Sequence, residues 1–207
     1  MESESQQPSI DAERCVHALA PKARCRACAD ACPRQAWLLD EDGLGLDTEA
    51  CDGCGLCAAC PQAAITFAAS PALRPARGGR LAYAACERIA DREEAGVLAC
   101  LHSLGVRALA ELWLKGERRL RVAHADCASC PRHASDGLTA AAAEITRLTS
   151  DRGLDPLTVE RVRAVEDWRS ERDEAAQMSR RGLFDALLRP AHAIVEGVDP
   201  EAGDPMA

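Results

Sequence analysis

Twelve cysteines and their spacing are the chemistry this chain offers. Cys15, Cys25, Cys28 and Cys32 form a first group, with Pro33 after the last, and Cys51, Cys54, Cys57 and Cys60 form a second, with Pro61 after the last. Cys86, Cys100, Cys127 and Cys130 remain, the final pair in the stretch Cys127-Ala128-Ser129-Cys130-Pro131. Thiolates two residues apart fit a turning loop that wraps a metal centre corner by corner, and a cubane cluster needs one protein sulfur for each of its four irons. Twelve divides into three such sets. Tetrahedral zinc takes the same donors without redox chemistry, and buried cysteines can also act as small hydrophobes. Disulfides are the least favoured use. The opening Met1-Glu2-Ser3-Glu4 has neither a basic nor an apolar leader segment, so the expected location is cytoplasmic, where structural disulfides are rare.

Other chemistries find little footing. At 207 residues and 22.1 kDa the chain suits one ordinary domain or two small ones. A net charge of −8 argues against nucleic acid as the partner, and no run of about 18 apolar residues is present to span a membrane. There is no GxGxxG after a strand, no GxxxxGK[ST] and no GxSxG, and no carboxylates are paired by sequence for acid/base work, so an enzyme is not expected. Aromatic residues make up only 3%, which leaves Ala, Leu, Val and metal centres to fill the interior. Acidic residues outnumber basic ones 11 to 5 over residues 1–70 and 14 to 9 over 138–207, whereas 71–137 has 8 against 11. Acidic ends of this kind can steer a protein toward a basic partner, though a solvated surface has the same composition.

The two proline-terminated runs resemble the two-[4Fe-4S] bacterial ferredoxin family, whose run is CxxCxxCxxxCP, and the likeness covers residues 15–68. The resemblance implies an α+β ferredoxin-like fold in which the last cysteine of each run serves the other run's cluster. One cluster would then sit on Cys51, Cys54, Cys57 and Cys32, and the other on Cys15, Cys25, Cys28 and Cys60. Two departures fall on the second of these. Nine residues separate Cys15 from Cys25 in place of two, and two residues separate Cys57 from Cys60 in place of three. If Cys60 begins a helix, losing one residue turns its thiolate by about 100° from the family position.

The elements that must position these sulfurs divide the chain into blocks. Residues 1–14 read as a disordered N-terminus, 15–69 as the two-cluster domain and 70–80 as a Pro/Gly-rich linker. Within the second block, residues 36–47 read as a hairpin turning at Asp42-Gly43, and residues 64–67 as a closing strand. From Leu81 to residue 165 the pattern is a small α/β domain. Strands are expected over 81–86, 96–100 and 120–125, with a helix over 103–115 that turns Leu104, Ala108, Leu109, Leu112 and Trp113 inward. A second helix over 139–151, with Ala142, Ile145 and Leu148 inward, stops at Gly153 and leads to a strand over 157–162. Residues 166–207 read as a charged helical tail.

This order places Cys86, Cys100, Cys127 and Cys130 near the ends of parallel strands, where open α/β sheets bind ligands. Strand-Cys, strand-Cys, helix, strand-CxxC also resembles the small iron-sulfur subunits of hydrogenase and heterodisulfide reductase complexes. That resemblance implies a third Fe-S centre, [4Fe-4S] or [2Fe-2S], with zinc as the alternative. His17, His102, His124 and His133 lie near the cysteines in sequence, and with enough thiols for three four-ligand sites they read as surface residues or donors to the sulfurs ahead of ligands. Ser179-Arg180-Arg181-Gly182-Leu183-Phe184 looks like a twin-arginine motif but stands far from the N-terminus. Leu183, Phe184, Leu187 and Leu188 read as an apolar helical stripe that docks on a partner or packs on its own chain. The expected function is electron transfer, as a subunit or dedicated partner of a larger oxidoreductase complex. The competing readings are a metal-stapled scaffold or maturation factor, and an oxygen or redox sensor using the cluster on Cys15, Cys25, Cys28 and Cys60.

Overall fold

Both cysteine runs end in Cys-Pro, and the backbone that follows repeats itself. Cys32-Pro33-Arg34-Gln35 and Cys60-Pro61-Gln62-Ala63 are turns in which the fourth residue's N–H reaches the cysteine carbonyl, each at 3.1 Å. Proline presets φ at the second position. Gln35 and Ala63 then take left-handed φ values of 53° and 52°. Each turn delivers a buried alanine, Ala36 or Ala64, and then a strand.

These features belong to a computed structural model that describes residues 7–20, 22–40, 43–67, 70–76, 79–132 and 136–175. Strand β1 (Ser9–Ile10) pairs antiparallel with β4 (Ile65–Thr66), and β2 (Trp37–Asp40) pairs antiparallel with β3 (Gly43–Leu46). The expected hairpin and closing strand are thus both present. The last pair of the register is Asp40↔Gly43, with Gly43 at φ 119°; Asp42 of the expected Asp42-Gly43 turn lies outside the described residues. The expectation of disorder over 1–14 is corrected for its second half. Ser9 and Ile10 pair with β4, and Ala12–Arg14 form a 3-10 turn that leads into Cys15.

Two short helices, α1 (Val16–Leu19) and α2 (Ala27–Asp30), complete this block with a 3-10 turn at Leu56–Ala59. Cys32 and Cys60 come just after helical turns, so Cys60 does not begin the helix on which its 100° rotation was conditional.

The rest is a five-stranded sheet. Strand β5 (Ala72–Ala76) runs antiparallel to β6 (Gly79–Cys86), while β7 (Val97–Leu98), β8 (Arg119–Ala123) and β9 (Thr158–Arg161) all run parallel with their neighbours. The presumed linker 70–80 therefore contains an edge strand. Pro75 is compatible with that place because an edge strand can spare one donor. Helix α3 (Val106–Leu114) crosses from β7 to β8, and α4 (Gly137–Ser150) from β8 to β9. Period-two alternation divides the sheet's faces. Ala82, Ala84, Cys86, Leu120 and Val122 pack with Leu104, Leu109, Leu112, Leu138, Ala141 and Ile145 on the side of α3 and α4. Ala108, Trp113 and Ala142 join them as partly buried neighbours, whereas Leu148 is replaced in the buried stripe by Thr149.

Tyr83, Ala85, Val97 and Ala123 face the other way, onto Trp168, which is fully buried. Trp168 belongs to α5, residues 165–175. The boundary expected at 165 is thus corrected: Val165, Trp168, Arg172 and Ala175 recur at helical spacing and cover the sheet's second face. Residues 179–188, with the arginine pair and apolar stripe, lie outside the described residues. Among the described residues no helix is long and apolar enough to cross a membrane.

Glu94 pins α5 to the sheet. Arg169 Nη2 stands 2.6 Å and Arg172 Nη1 3.3 Å from its carboxylate, and the Asp91 N–H donates to it at 3.0 Å. The Arg169 hydrogen bond, working against the cost of burial and aided by the other contacts, holds Glu94 at about 2 in place of 4.5. A depressed carboxyl stabilises the fold in full above its unfolded value and loses that contribution as pH falls from about 4.5 toward 2. Glu94→Gln is expected to cost about 2 kcal/mol at neutral pH and to flatten acid unfolding in that window, read by urea titrations at several pH values.

Candidate functional site: three sets of thiols

Cys15, Cys25, Cys28 and Cys60 line one small cavity with His17, Leu39, Leu44 and Ile65. The long insert before Cys25 is taken up by α1, whose His17 Nε2 stands 2.8 Å from the Cys25 carbonyl and so folds the loop back on itself. Cys28 is pushed up by its burial, with the charges of Cys60 and Cys15 adding to the effect. The expected rotation of Cys60 does not arise. In the first run the step from Cys28 to Cys32 is four residues along an α-type turn, about 400° of rotation. In the second the step from Cys57 to Cys60 is three residues along a 3-10 turn, about 360°. The tighter helix absorbs the missing residue.

Cys32, Cys54 and Cys57 make up most of a second set. Cys57 is pushed up to about 12, first by burial, with Cys54 and Cys32 as like charges beside it and a Trp37 hydrogen bond opposing them. Cys54 is likewise pushed up to about 12 by burial, with Asp52 adding to it. Cys32 Sγ accepts the Ala36 N–H at 3.4 Å. Cys51 is half-buried at the end of the turn after β3, its N–H on the Asp47 carbonyl at 3.1 Å, three residues ahead of Cys54. Cys28 and Cys57 share one packing cluster with Trp37 and Ile65, so the first and second sets are contiguous.

Cys86, Cys100, Cys127 and Cys130 line a cavity of about 670 Å3. Cys86 ends β6, Cys100 follows β7 by two residues, and Cys127 and Cys130 frame a 3-10 turn beyond β8, so only the first sits on a strand end proper. Burial pushes Cys100 up to about 11, with Cys86 and Cys127 as like charges nearby. Cys127 is raised by burial, then by Cys86 and Cys130, while Arg161 draws it down. Cys54, Leu56 and Cys100 pack together, which makes the second and third sets contiguous as well. Gly55, at φ 78°, permits the approach: a Cβ there would stand 3.2 Å from Ser103 Cβ.

Two histidines flank Cys127, His102 Nε2 at 3.4 Å and His124 Nδ1 at 3.7 Å. Burial lowers His102 from its ordinary 6.5 despite the Asp136 carboxylate, so the ring is neutral at pH 7. The Leu138 N–H and the Asp136 carboxylate both approach His102 Nδ1, at 3.4 and 3.5 Å, and Nε2 faces the Cys127 sulfur. His124 stands 2.7 Å from the Ala125 carbonyl through Nδ1. His133 lies outside the described residues.

Arg132 was not singled out by sequence, although its place directly after Cys130-Pro131 was a signal. Its guanidinium reaches Asp52 at 3.2 Å, Glu87 at 2.7 Å and the Ala99 carbonyl at 2.6 Å. Among the described residues no three His, Cys, Asp or Glu side chains stand where they would together hold one metal ion. The first and third sets of sulfurs border cavities.

No protein-family model, curated protein or solved structure matches the chain. Sulfurs from separate stretches share each surrounding, and burial disfavours an uncompensated thiolate at Cys54, Cys57 and Cys100. A bound cation replaces the proton on such a sulfur and stabilises it as a thiolate.

Proposed function

We propose that the chain is an electron-transfer protein that carries three Fe-S centres. Two [4Fe-4S] clusters would be held by Cys15, Cys25, Cys28 and Cys60 and by Cys32, Cys51, Cys54 and Cys57, and a third centre by Cys86, Cys100, Cys127 and Cys130. Such groups take up and release single electrons. The observation that carries the reading is the shared cavity of Cys15, Cys25, Cys28 and Cys60, sulfurs from both runs separated by up to 45 positions in sequence. A single zinc at any of the sets would need its sulfurs about 2.3 Å from one common point.

The chain's own residues give the sites an order. Trp37 and Ile65 pack between the first and second sets, and Leu56 between the second and third. Apolar contacts of this kind exclude water, and His102 and the Ala36 N–H supply hydrogen bonds to sulfur, which tune potentials. A basic redox partner and membership of a larger oxidoreductase complex fit the acidic ends of the sequence. Anaerobic purification from iron-replete cells, metal analysis and EPR of the reduced protein test the proposal. Eight or more irons per chain, about four per cubane, with reduced-cluster signals are expected. Zinc in place of iron, or a colourless folded protein, would overturn it.

The His102 geometry gives a more local test. A donor aimed at a cluster sulfur stabilises the reduced, more negative state and so raises the potential. His102→Leu is expected to retain its iron and to shift one centre's midpoint potential negative in an EPR-monitored titration. An unshifted potential at full iron content would show that His102 Nε2 plays no such part.

A further inference from the structure

The cavity at the third thiol set extends well past its sulfurs. Its lining runs along α4 from Leu138 to Thr146, about 12 Å of helix, and along the chain from Pro156 through β9 to Arg161. The cavity as a whole, thiol end included, measures about 670 Å3, against roughly 300–1,000 Å3 for small-molecule sites. The topology favours this place. From the adjacent C-terminal ends of β6 and β8 the chain leaves in opposite directions, to β7 on one side and to β9 on the other. That is where open α/β sheets form a ligand crevice.

The walls specify the chemistry of an occupant. Val122, Leu138, Leu157 and Val159 give the cavity an apolar lining, and α4 contributes the small Ala142 and Ala143. Arg88 and Arg161 border it, both exposed, and among the described residues neither has a carboxylate at salt-bridge distance. Arg132, by contrast, is held by Asp52 and Glu87. Asp126 and Asp136 also border the cavity, but their carboxylates accept the Ala128 and Thr139 N–H groups, so the two arginines with free donors beside apolar walls match a ligand with a flat or branched hydrocarbon body and one anionic end.

We propose that the cavity between α4, β9 and the third thiol set binds a small organic carboxylate, its apolar body against Leu157 and Val159 and its charge at Arg161 or Arg88. The inference goes beyond electron transfer and does not depend on it, because the walls and the arginines belong to the chain whichever metal the thiols hold.

The test uses the full chain, purified anaerobically with its metal content counted first, and calorimetric titration with 1-naphthoate. Saturable binding of one equivalent is expected, with the uncharged analogue 1-naphthalenemethanol and inorganic phosphate both weaker by about tenfold or more. Arg161→Glu should weaken naphthoate by about tenfold and leave the alcohol unchanged. Ala143 is an exposed helical position on the cavity wall, so Ala143→Trp should fold normally, keep its metal and lose both aromatic probes. Equal affinity for naphthoate and the alcohol would overturn the anion site. Binding untouched by Ala143→Trp would overturn the cavity as its location, and no heat from a folded, metal-loaded chain would overturn both. Zinc found in the metal count would reject the electron-transfer proposal alone, since the calorimetric result is read separately.

Discussion

Cys32→Ala is expected to strip iron from the centre of Cys51, Cys54 and Cys57 and to spare the centre of Cys25 and Cys28, its nearest neighbours in sequence. The helical turn after Cys28 and the proline after Cys32 carry the Cys32 sulfur out of its own run. Cys32 acts as a like charge on Cys57, whereas Cys28 has Cys60 and Cys15 as its charged thiol neighbours. With three sulfurs left, the second centre loses one iron's ligand and, with it, about four irons per chain if it disassembles. Cys60→Ala is the mirror experiment and should empty the Cys15, Cys25 and Cys28 centre. Iron analysis together with EPR of each variant reads the result. Loss confined to the mutated residue's own run would reject the crossed assignment, and thermal unfolding monitored by circular dichroism separates cluster loss from a failure to fold.

The elements around those sulfurs were legible to different degrees, and for physical reasons. The strand ending at Cys86 announces itself as an apolar run because both faces of the sheet are covered, and the one before Cys127 by Leu120 and Val122 alternating with Arg119 and Arg121. Ser9–Ile10 carries no such mark. Two residues define no period, and their strand exists only because Ile65 and Thr66 arrive from 55 positions away in the register Ile10↔Ile65. Ala72–Ala76 is disguised by Arg74 and Pro75, which an edge strand tolerates and a central one does not. Helix α5 looks peripheral because its buried stripe includes Arg172, which is only 7% exposed and lies over the Trp168 ring at 4.6 Å. An arginine stem can serve as core when its charge finds partners, here Asp173 and Glu94.

The candidate sites follow the same logic. Residue spacing identifies which thiols occur, but the helix type decides where they point. Counting the missing residue before Cys60 in α-helical steps misplaces its sulfur, whereas the backbone adopts a 3-10 turn at Leu56–Ala59. The contact between the second and third sets has no local signature at all. It depends on Leu56 meeting Cys100 across 44 positions, on Gly55 lying against Ser103, and on an arginine whose partners are distributed over three segments.

That arginine gives the other large expected effect. Arg132 touches Asp52, between Cys51 and Cys54; Glu87, next to Cys86; and the carbonyl of Ala99, next to Cys100. One guanidinium therefore ties the backbone of the second thiol set to that of the third. Its own burial works against its charge, but Glu87 and Asp52 more than offset this and raise its pKa, so it stays charged throughout the accessible range. Asp52 also pays a burial cost, which the Arg132 hydrogen bond and charge outweigh, and it is held below the ordinary carboxyl value. Arg132→Met would leave two carboxylates, 23% and 18% exposed, without their shared cation. Arg34, at 3.6 Å from Asp52, and Arg92, beside Glu87, compensate only in part. A loss of about 3 kcal/mol in anaerobic urea unfolding is expected. Arg132→Lys should recover less than half of it, because an ammonium cannot span the same three acceptors in one plane. If the link between the sites is the reason for the loss, Asp52→Asn in the Arg132→Met background should cost little more, and iron should fall at both the second and third sets in Arg132→Met while the first keeps its own. An Arg132→Met protein within about 0.5 kcal/mol of the parent would mean that apolar contact at Leu56 alone holds the two sets together.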